Sequence, residues 1–166
     1  MSSDPSYDRK LEIMRNFMEA ARDGDVEKLS SALERGVDVN LTGFEGETAA
    51  WYAAYYNQPA ALKFLLRAGA DPGLRDDQGG TPLIWAIRRN APDCVKVLID
   101  GFAPLDQPNY AGVAPRDIAV SETHPDIARL LEEAIETEAE RKRSAAVELQ
   151  ERLTVARPLA LKRRSP

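Results

Sequence analysis

Cysteine and histidine are almost absent: the 166 residues hold one of each, Cys94 and His124. A lone cysteine excludes a disulfide framework and any cysteine-based zinc site. A lone histidine excludes a histidine-rich metal centre and leaves most triad chemistry without its base. Long apolar runs are missing as well; none approaches the ~18 residues that a membrane span needs. The opening residues carry neither a basic nor an apolar segment of a Sec signal. The expected compartment is therefore cytoplasmic and reducing, with export by another route left open. A surplus of positive charge is also lacking. Residues 1–131 carry 14 basic against 20 acidic groups, and residues 132–166 carry 8 against 7, for a net charge of −5. An acidic body has no basic footprint for nucleic acid, so neither nucleic acid nor membrane is an expected partner. What remains is 43% hydrophobic and 30% charged residues, a balance that folds, in a chain long enough to bury roughly 70% of its unfolded surface.

The strongest positive signal is a repeat. Gly46, Gly79 and Gly112 are 33 residues apart. The same step separates Ala20, Ala53, Ala86 and Ala119; Pro59, Pro92 and Pro125; and Ala32, Leu65, Leu98 and Leu131. Four series in one register mark a tandem structural unit. Local chemistry says what the unit is. Thr48 and Thr81 stand where a side-chain oxygen caps a helix. Pro82 and Pro115 follow in the first helical turn, where a missing N–H costs nothing. Pro59, Pro92 and Pro125 open a second helix. Its apolar stripe is Leu62, Leu65 and Leu66 in one copy and Val95, Leu98 and Ile99 in the next. Gly36 and Gly69 then suit a left-handed cap. Phe102 stands at the third such position. Because Gly101 precedes it, the cap is expected to shift by one residue, leaving Phe102 partly exposed.

The run Gly79, Thr81, Pro82, Leu83, Ala86, with its 33-residue period, resembles the ankyrin-repeat family over about residues 8–135. Ala49 and Ala114 depart from the motif's Pro and Thr, and Asp117 from its His. The resemblance implies an all-α solenoid of paired antiparallel helices joined by hairpin-like fingers. The stack would span residues 1–135, with repeats at about 8–40, 41–73, 74–106 and 107–135. Residues 136–156 would form a helical extension or cap, and 157–166 a basic, disordered tail. The N-terminal cap is a helix with Tyr7, Leu11, Met14, Phe17, Met18 and Ala21 on one face. At the other end, Ile127, Leu130, Leu131, Ala134 and Ile135 are apolar at helical spacing. Val147, Leu149 and Leu153 form a thinner stripe, on one long helix or on a helix that turns back near Ser144.

Catalysis is not expected. His124 precedes Pro125 as a surface residue, Cys94 lies on a core stripe as an inert thiol, and Asp76 and Asp77 read as turn chemistry. No catalytic residue, metal ligand or cofactor site is assigned. The resemblance instead implies a partner-binding concave face. Its finger-tip residues are Phe44, Glu45, Glu47, Asp77, Gln78 and Tyr110. Its helix residues are Trp51, Tyr55, Tyr56, Arg88 and Arg89, with Ile84 and Glu122 beside them. Aromatic and arginine side chains of this kind dominate interface hot spots. The expected function is a non-enzymatic, monomeric scaffold, adaptor or inhibitor that binds another protein. The alternatives are a secreted effector or toxin-neutralising protein, and a structural protein self-associating through 136–155. Arginine outnumbers lysine 16 to 6, which suits a GC-rich, bacterial source.

Overall fold

The computed structural model describes residues 5–161. Residues 162–166, and with them the end of the expected basic tail, lie outside the described residues. Among the described residues eight helices follow one another: α1 (Pro5–Asp23), α2 (Val26–Glu34), α3 (Ala49–Tyr55), α4 (Pro59–Arg67), α5 (Pro82–Arg88), α6 (Pro92–Asp100), α7 (Pro115–Ser121) and α8 (Pro125–Leu161). Among the described residues there is no strand, only an isolated bridge between Thr42 and Thr48. The chain divides into two compact units, Met1–Leu131 and Glu132–Pro166.

Helix starts follow the local signals. Thr48 Oγ1 accepts from Trp51 N at 3.1 Å and Thr81 Oγ1 from Ile84 N at 3.4 Å. Each such cap is worth about 1 kcal/mol. Ala114 supplies none, and α7 begins on Pro115 alone. Asp25 caps α2 by accepting from Lys28 N at 3.0 Å. Hydrogen bonds from Lys28 hold the Asp25 carboxyl below its ordinary range.

In the first unit, α1, α3, α5 and α7 lie in one row and α2, α4 and α6 in another. Ala53, Ala86 and Ala119 are wholly buried, and their small side chains let the two rows approach. Leu62, Leu65, Val95, Leu98 and Leu131 fill the space between, each fully buried and worth about 1.5–3 kcal/mol. Polar bridges run between repeats: Gln58 Nε2 donates to Arg22 O at 3.0 Å, Asp71 N to Asn40 Oδ1 at 2.8 Å, and Gln107 Nε2 to Gly73 O at 3.2 Å. Cys94 is fully buried. Burial pushes its thiol up to about 12, so it stays protonated and inert.

The break after each second helix departs from expectation at Phe102. Gly36 and Gly69 take φ of 86° and 95° there. The cap does not shift in the third copy: Gly101 keeps φ −85°, while Phe102 adopts φ 57° and is 82% exposed. A Cβ on Gly101 would lie 2.7 Å from Leu66 Cδ1, the end of a side chain that can move aside. Phe102 therefore carries left-handed strain without burial in return. Phe102→Gly is expected to stabilise the protein by about 0.5–1 kcal/mol. An unchanged urea midpoint would show the backbone is relaxed there. Ile135 occupies the next step of the same series. No break forms at this step, and α8 continues through Ser144 to Leu161 without the turn considered there.

Candidate protein-interaction face

The second finger is organised around one buried carboxylate. Asp76 is 4% exposed. Its Oδ1 accepts from Gln78 N at 2.9 Å and Gly80 N at 2.7 Å, closing the turn. Its Oδ2 accepts from Trp51 Nε1 at 2.8 Å and Trp85 Nε1 at 2.6 Å. One side chain thus fixes a finger and two indoles from adjacent repeats. In the third finger Asn109 Oδ1 does the turn-closing half of this, accepting from Ala111 N and Val113 N, each at 3.0 Å. The first finger has Gly43 at that position, and Glu47 Oε2 substitutes by accepting from Glu45 N at 2.9 Å.

From the anchored indoles an aromatic cluster extends outward. Trp51 and Tyr55 stack with centroids 4.8 Å apart and planes within 7°. Trp85 packs against both at 5.4 and 5.5 Å. Tyr56 meets Tyr55 edge-on at 5.0 Å and is 44% exposed. Two cations cover the cluster: the Arg89 guanidinium lies 4.7 Å from the Tyr55 centroid and that of Arg88 5.1 Å from Trp85. Arg88 also approaches Glu122 at 3.8 Å, a weak, half-exposed pair. Flat rings with few rotamers, held from behind by hydrogen bonds, give contact area at low entropic cost.

The remaining expected residues are distributed along the fingers. Phe44, Glu45 and Glu47 line a groove of about 570 Å³ with Met14, Met18 and Arg22 of α1 and Tyr52. Burial, reinforced by Glu47 and Glu45, raises the Tyr52 hydroxyl above its ordinary value. Phe44 is 77% exposed. Asp77 and Gln78 are exposed at the second tip. The Asp77 N–H ties that finger to the first through Glu45 O at 2.8 Å. Tyr110 is exposed at the third tip, under the Arg75 guanidinium at 5.6 Å. Ile84, expected on the face, is instead buried. The residues not anticipated are Asp76 as the organiser, Trp85 as part of the cluster, and Met14 and Met18 on the α1 wall of the groove. A hint lay in two tryptophans flanking an Asp–Asp turn.

These features define a helical repeat protein with a preorganised surface between its fingers and first helices. The family model for ankyrin repeats (3 copies) matches residues 17–107 and 51–141. The chain belongs to the ankyrin-repeat family, whose repeats are protein-interaction modules. No curated protein matches the chain. Among the described residues, no helix is long and apolar enough to cross a membrane.

Proposed function

We propose that the chain is a non-enzymatic protein-binding module whose partner docks on Tyr55, Tyr56, Arg88 and Arg89, with Trp51 beneath them and the finger tips at Phe44, Glu45, Glu47, Asp77, Gln78 and Tyr110 as the rim. The observation that carries this reading is the Trp51–Tyr55 stack, held behind by Asp76 and covered in front by Arg89. Such a site suits a partner with carboxylates for the two arginines and an apolar patch for the tyrosines. Scaffold, adaptor and inhibitor differ only in what that partner does when it is held. The test is capture of partners from source lysate with the intact chain and with Tyr55→Ala/Tyr56→Ala/Arg88→Ala/Arg89→Ala, its fold checked by circular dichroism. A partner held at least about tenfold more weakly by the folded variant supports the reading. A partner retained equally by both refutes it.

A further inference from the structure

The second unit carries an apolar pattern of its own. Ile135, Ala139, Lys142, Ala146, Leu149 and Leu153 succeed one another at alternating steps of four and three. That spacing places all six on one stripe of a helix. Ile135, Leu149 and Leu153 are 36%, 58% and 58% exposed. The lysine on the stripe does not point its charge along the seam: Lys142 Nζ reaches sideways to Glu138 Oε1 at 2.6 Å. Val147, also exposed, lies off the stripe.

We propose that this stripe is the seam of an antiparallel helix pair formed with the same segment of a second copy of the chain. With the two helices crossing near Ser144, Ile135 meets Leu153 of the second copy, Ala139 meets Leu149, and Lys142 meets Ala146. Two-fold symmetry repeats each layer. Large faces small in the Ala139–Leu149 layers, and the Lys142 stem covers an alanine methyl while its ammonium leaves at the flank. A parallel pair would instead set Lys142 against Lys142 and each alanine against itself, which is repulsive and underfilled. The flank charges accommodate the antiparallel sense; a parallel pair would set Glu138 against Arg143, so the choice of sense rests on Lys142 and the alanines. In the antiparallel pair Glu138 faces Arg152 of the second copy on one flank, twice per dimer. Against this stands a single approach of Arg143 to its own copy, on the open flank, where both side chains reach water. The segment is thus self-complementary in size and charge when reversed, which identifies a second copy as the occupant.

The experiment is light scattering on the full chain over a concentration series. The mass is expected to rise from 18.3 kDa toward twice that value. Leu149→Glu/Leu153→Glu, both at exposed positions, should hold it at the monomer mass with unchanged helical circular dichroism. Arg152→Glu alone should weaken association roughly fivefold, and adding Glu138→Arg should restore it. Ile135→Cys chains mixed with Leu153→Cys chains should give a disulfide-linked heterodimer on oxidation, and neither alone should cross-link. A monomer mass at every concentration overturns the proposal. So does a dimer indifferent to both sets of substitutions. Disulfide homodimers of Leu153→Cys overturn its antiparallel sense.

Discussion

Replacing Asp76 with alanine is expected to lower the free energy of unfolding by about 3–5 kcal/mol. The carboxylate is 4% exposed and its two oxygens accept four N–H groups. Removing it leaves two indole donors and two turn donors unpaired, and each buried donor left so costs about 1–3 kcal/mol unless water reaches it. The loss spreads, because Trp51 belongs to one repeat and Trp85 to the next, so the carboxylate is a joint between them. Asp76→Asn separates shape from charge. An amide can present its oxygen to the indoles or to the turn, but not to both, and meets donors with donors on the other side. About 2–3 kcal/mol of destabilisation is expected there. The chain has two tryptophans, and both bond this residue, so intrinsic fluorescence reports on it directly. Urea denaturation gives the stability, and the native emission spectrum should change in both variants. Wild-type midpoints with wild-type emission would show that the carboxylate is not a joint. Partner binding should weaken along with stability, since free indoles must be reordered on docking.

The helix pairs were legible because every repeat writes its signals at the same offsets. Thr81 caps, Pro82 begins, Ala86 packs and Pro92 restarts, and each acts within a few residues of itself in the chain. Asp76 was legible only by half. Its turn-closing role is local, reaching Gln78 and Gly80. Its second role joins Trp51, 25 residues before, to Trp85, nine after. The two tryptophans are 34 residues apart, one step out of the 33-residue register. No periodic series contains both, so the repeat that revealed the fold concealed the site's centre. Ile84 shows the converse. It shares the register of Trp51 and was placed on the face with it, yet it is buried. Equal register fixes backbone position, but neighbours decide whether the side chain reaches water. Phe102 fails for a third reason. Glycine at 101 pointed to the place of the conformational break, whereas the left-handed residue is Phe102, in register with Gly36 and Gly69.

The fingers allow a sharper test of the balance between backbone conformation and packing. Gly46, Gly79 and Gly112 hold the same left-handed turn, at φ 79°, 77° and 78°. Alanine at any of them pays the same left-handed penalty, about 1–2 kcal/mol. Their surroundings differ. A Cβ on Gly112 would meet nothing within 4 Å. On Gly46 it would lie 3.1 Å from Asp76 Cα and 3.2 Å from Asp77 N. On Gly79 it would lie 2.4 Å from Tyr110 N and 2.6 Å from its ring. Backbone cannot yield as the end of a side chain can, and overpacking of this kind adds about 1–3 kcal/mol. Gly112→Ala is therefore expected to cost about 1 kcal/mol and Gly79→Ala about 3–4 kcal/mol, with Gly46→Ala between them. Urea unfolding of the three variants measures the order. Equal losses would mean that the fingers move apart freely and that conformation alone sets the cost. The expected order would mean that each finger is held by the next, through contacts such as Asp77 N to Glu45 O. In that case Gly79→Ala should also displace Tyr110 and weaken partner binding, whereas Gly112→Ala should lose stability and leave binding intact. A surface built this way is rigid because its fingers are packed against one another as well as hydrogen-bonded within themselves.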